Sequence, residues 1–170
     1  MSSEEHDLIV RIETPGDAAA IRAVNEEAFG RPDEANLVDR LRENGKLTLS
    51  LVASEGGRIV GHISFTETLG TEQRLVGLAP MAVGRDLQRQ GIGQALVSEA
   101  MGFLREQGYH GIVVLGHPTY YRRFGFRPAK CYGIETQFDV PDECQMVLNL
   151  TDDRLEPCKA RYQPEFDLLA

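Results

Sequence analysis

Apolar residues recur along this chain at spacings of two and of three to four, and the two rhythms alternate with short polar breaks. Leu8-Ile9-Val10-Arg11-Ile12 is rich in β-branched residues and reads as a first strand. Thr14-Pro15-Gly16-Asp17 then offers a capping residue, a proline at the first helical position and an acid in the first turn. A helix is predicted to follow, carrying Ala20, Ile21, Val24, Ala28 and Phe29 on one face. Gly30-Arg31-Pro32 interrupts it, and Leu37, Val38 and Leu41 predict a second helix over 34–43. Leu47 to Ser54 and Ile59 to Thr68, joined through Glu55-Gly56-Gly57-Arg58, predict an antiparallel hairpin with a Gly-Gly turn, and Leu75 to Val83 adds a strand.

The longest helical rhythm runs over 92–107. Ile92, Leu96, Ala100 and Phe103, flanked by Val97, Met101 and Leu104, make an apolar face broad enough to lie on a sheet, and Gly108 ends it. Gly111 to Leu115 reads as a short buried strand, Pro118 to Phe124 as a short helix, and Gln145 to Leu150 as a last strand with alternating Met146, Leu148 and Leu150. The order is mixed α/β in one domain, with a core over about residues 8–150. Residues 151–170 are charged and carry Pro157 and Pro164, so they read as a surface-packed extension or a partly disordered end.

Composition narrows the partners. A chain of 170 residues is the size of one domain, and its 26 acidic against 18 basic residues leave a net charge of −8, which opposes attraction to nucleic acid or an anionic membrane. No apolar run approaches a membrane span and the N-terminal MSSEEHDL lacks a signal pattern, so a cytoplasmic location is expected. Cys131, Cys144 and Cys158 are odd in number and without C-x-x-C spacing, which predicts reduced, partly buried thiols rather than disulfides or zinc.

The chemistry starts at Gln88-Arg89-Gln90-Gly91-Ile92-Gly93, between the strand ending at Val83 and the long helix. A strand, a loop with two glycines one residue apart and an immediate helix start present free backbone N–H groups to an anion. A dinucleotide fingerprint would need a third glycine where Leu96 stands and an acid near Gly111 to Leu115, and no G-x-x-x-x-G-K-[ST] string exists, so Rossmann and P-loop readings fall away. There is also no G-x-S-x-G elbow, and His6, His62, His110 and His117 show no metal-binding spacing. Arg122 to Arg127 interleaves basic and aromatic residues as an RNA-binding strand does, but with the wrong glycine order; core packing accounts for it better.

The pattern Q/R-x-x-G-x-G/A between strand and helix resembles the pyrophosphate loop of the GNAT N-acetyltransferases, which bind acetyl-coenzyme A. A second match, Tyr120-Tyr121-Arg122-Arg123-Phe124-Gly125-Phe126, is similar to that family's Y-x-x-x-G-F segment. Val114 to Phe126 as a whole resembles a bacterial subgroup with a V-L-G-x-P-x-Y-Y-x-R-F-G-F segment. The resemblance implies a mostly antiparallel mixed sheet, splayed at the acetyl-coenzyme A site and flanked by helices, and direct acetyl transfer to a primary amine without metal. It implies that Gln88, Arg89, Gln90, Gly91, Ile92, Gly93 and Gln94 hold the pyrophosphate. Met81, Ala82 and Val83 then pair with the pantetheine arm, and His117 and Tyr121 lie at the cofactor. His117-Pro118 stands where many members have an asparagine-led turn, so contacts of that asparagine do not transfer.

Tyr121 is the expected general acid for the leaving thiolate, since a phenol of pKa ~10 stays protonated at neutral pH. Tyr120 reads equally well as packing. Glu67 is the leading candidate for the base that takes the amine proton; His117, Glu135 and Glu143 are alternatives, and His62 should face the other side of the sheet from Glu67. The rival to an enzyme is a non-catalytic acyl-coenzyme A sensor or scaffold. The acceptor, a small-molecule or peptide amine, is not specified by these residues, although the acidic balance favours a cation. Gln145 to Leu150, as an edge, and the unplaced Tyr162, Phe166, Leu168 and Leu169 suggest a tail packed on its own sheet or a homodimer.

Overall fold

Strand-forming residues gather into a sheet because each strand buries one face against helices and pairs its backbone with neighbours. The computed structural model describes residues 7–169. Its strands are β1 (Leu8–Ile12), β2 (Leu49–Glu55), β3 (Arg58–Glu67), β4 (Leu75–Val83), β5 (Gly111–Leu115), β6 (Arg127–Pro128), β7 (Ile134–Glu135), β8 (Gln145–Asn149) and β9 (Cys158–Lys159). Its helices are α1 (Ala18–Phe29), α2 (Asp33–Glu43), α3 (Ile92–Glu106) and the single turn α4 (Pro118–Tyr121). The main sheet has seven strands in the order β1-β2-β3-β4-β5-β8-β6. All its pairs are antiparallel except β4 with β5, where α3 makes the crossover. This is the mixed, mostly antiparallel sheet the resemblance implied.

The predicted elements form within a residue or two of their expected ends. Gly56 and Gly57 both take positive φ, 57° and 78°, in the two-residue turn of the β2–β3 hairpin. Asp17 accepts the Thr14 N–H at 2.7 Å and the Arg11 guanidinium at 2.7 Å, tying β1 to the start of α1. The expected helix over 118–124 is α4 followed by a 3-10 turn at Arg122–Phe124. Cys131 is exposed and Cys144 and Cys158 half-buried, so the expectation of partial burial holds for two of the three.

Two apolar layers sandwich the sheet. On one face α3 places Ile92, Leu96, Val97, Ala100 and Leu104 against Ile63, Phe65, Val76, Leu78, Ile112 and Val114. On the other, Leu37 and Leu41 of α2 meet Leu75, Ala79, Val113 and Val147, and the cover is completed by Ala160, Tyr162 and Phe166. The C-terminal segment therefore packs on the sheet's face. β7 pairs with β9, Leu69 bridges Arg161, and Lys46 holds Glu165 at 2.6 Å. The strand at Gln145–Asn149, expected to be an edge, is not one: β8 lies between β5 and β6. Of the two expectations for this tail, its own sheet or a second subunit, Tyr162 and Phe166 take the first and are buried within the chain.

His62 is buried among polar groups on the α1 side, opposite Glu67 as the alternation predicted. Asn25 Nδ2 donates to Ile21 O at 2.9 Å and to His62 Nδ1 at 3.1 Å, which leaves the imidazole proton on Nε2 for Ser50 Oγ at 2.9 Å. Burial, and then the nearby Arg42 charge, lower its pKa from 6.5 to about 3.

Two outcomes are expected. An unfolded chain protonates His62 near pH 6.5 while the folded one resists until about 3, so stability held above pH 6.5 is lost progressively as pH falls between those values. Melting temperature against pH should slope down below 6.5 in the parent and be flatter in His62→Gln between pH 6.5 and 4. Truncation before Ala160 removes the buried Tyr162 and Phe166 rings and should cost roughly 3–6 kcal/mol, at about 1.5–3 per large apolar side chain. A denaturant titration unchanged by that truncation would show that the segment contributes nothing to the fold.

Candidate active site

Parallel pairing of β4 with β5 lasts for three residue pairs, Leu75 with Gly111, Val76 with Ile112 and Gly77 with Val113, and then stops. Beyond Gly77, β4 keeps its partner β3 but shifts register, passing from Ala79 opposite Ser64 to Met81 opposite Ile63, with Pro80 as the extra residue. A bulge bends a strand, and proline has no N–H to give a neighbour. β5 meanwhile stays with β8 as far as Leu115. The sheet therefore splits between Leu78–Val83 and Val114–Leu115, and the β4 backbone facing the gap has no strand beside it.

A cavity of about 1540 Å³ passes through this split. One limb runs along Leu78, Pro80, Met81 and Val83 to the loop before α3, where Gln88, Arg89, Gly91, Ile92, Gly93 and Gln94 line it. The loop takes its shape from two left-handed residues, Arg89 at φ 65° and Gly91 at φ 86°. The first intrahelical bond of α3 joins Ala95 N–H to Gly91 O at 3.0 Å, so the N–H groups of Ile92, Gly93 and Gln94 precede it and point toward the loop. Those donors, the helix dipole and the Arg89 and Arg123 guanidiniums make this limb attractive to a phosphate. Tyr120 belongs here too: its hydroxyl lies directly over Gly93, where no side chain would fit, and Arg123 stacks on its ring at 4.5 Å.

Two glycines admit aromatic rings at the point where the split begins. A Cβ on Gly116 would collide with the Tyr121 ring, and one on Gly77 would stand 2.6 Å from Cε1 of Tyr162. Tyr121 packs with the α3-side cluster and Tyr162 with the α2-side cluster, so two phenols approach the gap from opposite faces of the sheet. Burial, followed by the neighbouring Tyr120, raises the Tyr121 pKa well above 10. Outright proton transfer from such a phenol to a thiolate of conjugate-acid pKa ~8.5 runs uphill. Tyr121 is suited to donate a hydrogen bond to sulfur as charge develops there, a role short of the full proton transfer expected of a general acid.

The second limb opens on the α1–α2 side among Ala28, Phe29, Glu34, Phe138, Phe166, Asp167 and Leu169. Much of it comes from the C-terminal segment and the stretch before β8. The only signal for it in the sequence was a set of aromatic and leucine residues in an otherwise charged tail.

Most of the predicted site residues meet at the cavity: Met81, Val83, Gln88, Arg89, Gly91, Ile92, Gly93, Gln94, His117 and Tyr121 all line it. Ala82 and Gln90 do not. Ala82 is buried opposite His62, and the Gln90 side chain turns back to Asp86 O at 3.4 Å. Glu67 is not brought there either. It sits opposite Val76, about 17 Å along β4 from Met81 at ~3.3 Å per residue. Its carboxylate accepts the Tyr109 hydroxyl, under Arg74 stacked 4.2 Å from that ring. His62, Glu135 and Glu143 are likewise absent from the lining, which leaves His117 alone among the candidate bases.

This split sheet, with an anion-binding helix start at one side and a phenol at its apex, defines an acyl-transfer architecture. Residues 18–126 match the model of the Acetyltransferase (GNAT) family, and the chain belongs to that family, whose members are N-acetyltransferases. It is 37% identical over 151 residues to the uncharacterized N-acetyltransferase YhbS of Escherichia coli, covering 87% of this chain and 90% of that one. The crystal structure of Escherichia coli YhbS with CoA superposes with a TM-score of 0.91 at 33% identity, over 98% of this chain and 96% of that one. A GNAT family acetyltransferase of Brucella melitensis, in complex with acetyl-CoA, gives 0.80 at 36%, over 95% and 99%.

The anion assignment has a direct test. Gln94→Glu adds a carboxylate in the first turn of α3, where it favours the helix but repels a phosphate. The variant should melt no lower than the parent yet bind coenzyme A about tenfold more weakly, roughly 1.4 kcal/mol. Equal affinities by calorimetry would place the pyrophosphate elsewhere.

Proposed function

We propose that this protein transfers an acetyl group from acetyl-coenzyme A directly to a primary amine. The observation that carries this reading is the split after Gly77 and Val113, which opens an unpaired β4 edge onto the free N–H groups of α3 in one continuous cavity. Bound there, acetyl-coenzyme A supplies an activated thioester. The cavity suits such a molecule: its volume is about 1540 Å³, and it is cationic and N–H-rich at one end and apolar along β4.

The residues divide the work by position. N–H groups of Ile92, Gly93 and Gln94, with Arg89, hold the pyrophosphate. The backbone of Met81 to Val83 lies alongside the pantetheine arm, as a strand would, and orients the acyl group. Tyr121 donates a hydrogen bond toward the sulfur. The amine proton leaves through water or His117, since no carboxylate among the proposed bases reaches the cavity. The three unpaired cysteines fit a reducing compartment, which supports a cytoplasmic location.

Thiol release from acetyl-coenzyme A with a panel of primary amines tests the proposal. At least one amine should accelerate release, and Tyr121→Phe should lower turnover roughly tenfold to a hundredfold, the worth of a hydrogen bond to a charged atom, with little change in coenzyme A affinity. Tight acetyl-coenzyme A binding with no amine-dependent release would favour a sensor or scaffold instead.

A further inference from the structure

The Tyr162 hydroxyl is fully buried and has no hydrogen-bond partner among the described residues, although its ring lines the cavity. A buried phenol without a protein partner loses its hydrogen bonds to water unless an ordered water or a ligand restores them, and of the unpartnered buried side chains among the described residues only Tyr162 lines the cavity. Much of the surrounding chain serves to hold this ring in place. Gln137 accepts the Tyr162 N–H at 2.9 Å and donates to its carbonyl at 3.3 Å. Phe138 and Phe166 pack edge-on with ring centroids 5.2 and 4.7 Å away. Gly77, the last β4 residue paired with β5, leaves the space in which the ring lies.

Accepting the reading above, we propose that Tyr162 receives the acceptor amine at the split, and that the acceptor is a primary amine carried on an aromatic or extended apolar body. The location follows from the two faces of the sheet. Tyr121 belongs to the layer that includes α3 and the phosphate-binding loop, hence to the departing thiol, whereas Tyr162 belongs to the opposite layer, from which the second limb opens. The class follows from that limb's walls. Phe29, Phe138, Phe166 and Leu169 are apolar; Glu34 is neutralised by Arg31; and Asp167, exposed at the rim, has no salt-bridge partner among the described residues. An ammonium is drawn to the rim carboxylate, and its apolar body fits between the rings.

Burial, and then the nearby Tyr121, raise the Tyr162 pKa far above neutrality. The phenol therefore stays neutral and offers oxygen lone pairs to an amine N–H, turning the nitrogen lone pair toward the acyl carbon. The ammonium gives up one proton, to water or His117, before it attacks; as the C–N bond forms and the C–S bond breaks, a second is lost from nitrogen and one is gained by the thiolate, so one proton is released in sum.

The test uses 2-phenylethylamine and ethanolamine with the full chain. Calorimetry with coenzyme A alone comes first, and failure to bind would overturn the acetyltransferase reading itself. If coenzyme A binds, 2-phenylethylamine should bind the loaded protein about tenfold more tightly than ethanolamine does, and be acetylated with the higher kcat/KM. Tyr162→Phe keeps the ring and removes only the unpartnered hydroxyl. It should lower kcat/KM for 2-phenylethylamine about tenfold while coenzyme A affinity holds and the melting temperature stays level or rises. A melting temperature that falls with activity would mark a structural hydroxyl, and unchanged kinetics would remove Tyr162 from the site. Preference for ethanolamine, or no binding of 2-phenylethylamine, would overturn the acceptor class.

Discussion

Two parallel strands that stop pairing after Gly77 and Val113 leave backbone donors and acceptors facing a gap, and most of the molecule is arranged around that interruption. Unpaired backbone inside a domain is costly unless something else bonds to it. Here the remaining pairs keep the two sides in place: β4 stays with β3 through the Pro80 bulge, and β5 stays with β8 to Leu115. α3 spans the two sides as the crossover, so the helix that closes the parallel connection also directs its first N–H groups at the mouth of the gap. One topological feature thus supplies both the slot and the anion site.

The aromatic residues follow the same geometry. Rings can lie against a backbone only where no Cβ intervenes, and Gly77 and Gly116 are the places where this sheet allows it. Tyr121 on one face and Tyr162 on the other both line the cavity where the strands part. Neither phenol ionises under ordinary conditions, because burial raises both. The chemistry such a passage supports is hydrogen bonding to changing charge rather than strong acid or base catalysis.

How much of this the sequence discloses depends on the range of the interaction. Local signals were clear: the Thr14 to Asp17 cap, the Gly56-Gly57 turn and the 3.6-residue rhythm of α3 each concern residues a few positions apart. The loop of Gln88 to Gly93 before α3 was legible for the same reason. Glu67 looked catalytic because it ended a strand in the right region, but the antiparallel register that carries it opposite Val76, away from Met81, is a long-range fact that no spacing records. Tyr162 was hidden by the same limitation. Its contacts with Gly77 and Gln137 lie 85 and 25 positions away, and only its aromatic character in a charged tail hinted at burial. The strands Arg127–Pro128, Ile134–Glu135 and Cys158–Lys159 are two residues each, too short for any periodicity to show.

The seam at Leu75–Gly77 has a mechanical meaning as well. Within the sheet the strands form two groups, β1 to β4 and β5 with β8 and β6, paired to each other at three residue pairs, with α3 on one face and α2 and the C-terminal segment on the other packed across both. A ligand laid in the gap as an extra strand adds rungs between the groups, so it stiffens the whole domain instead of merely filling a hole. The rigidity of the protein should then report the occupancy of its donor site, and relative motion of the groups would be greatest when that site has nothing to offer an amine.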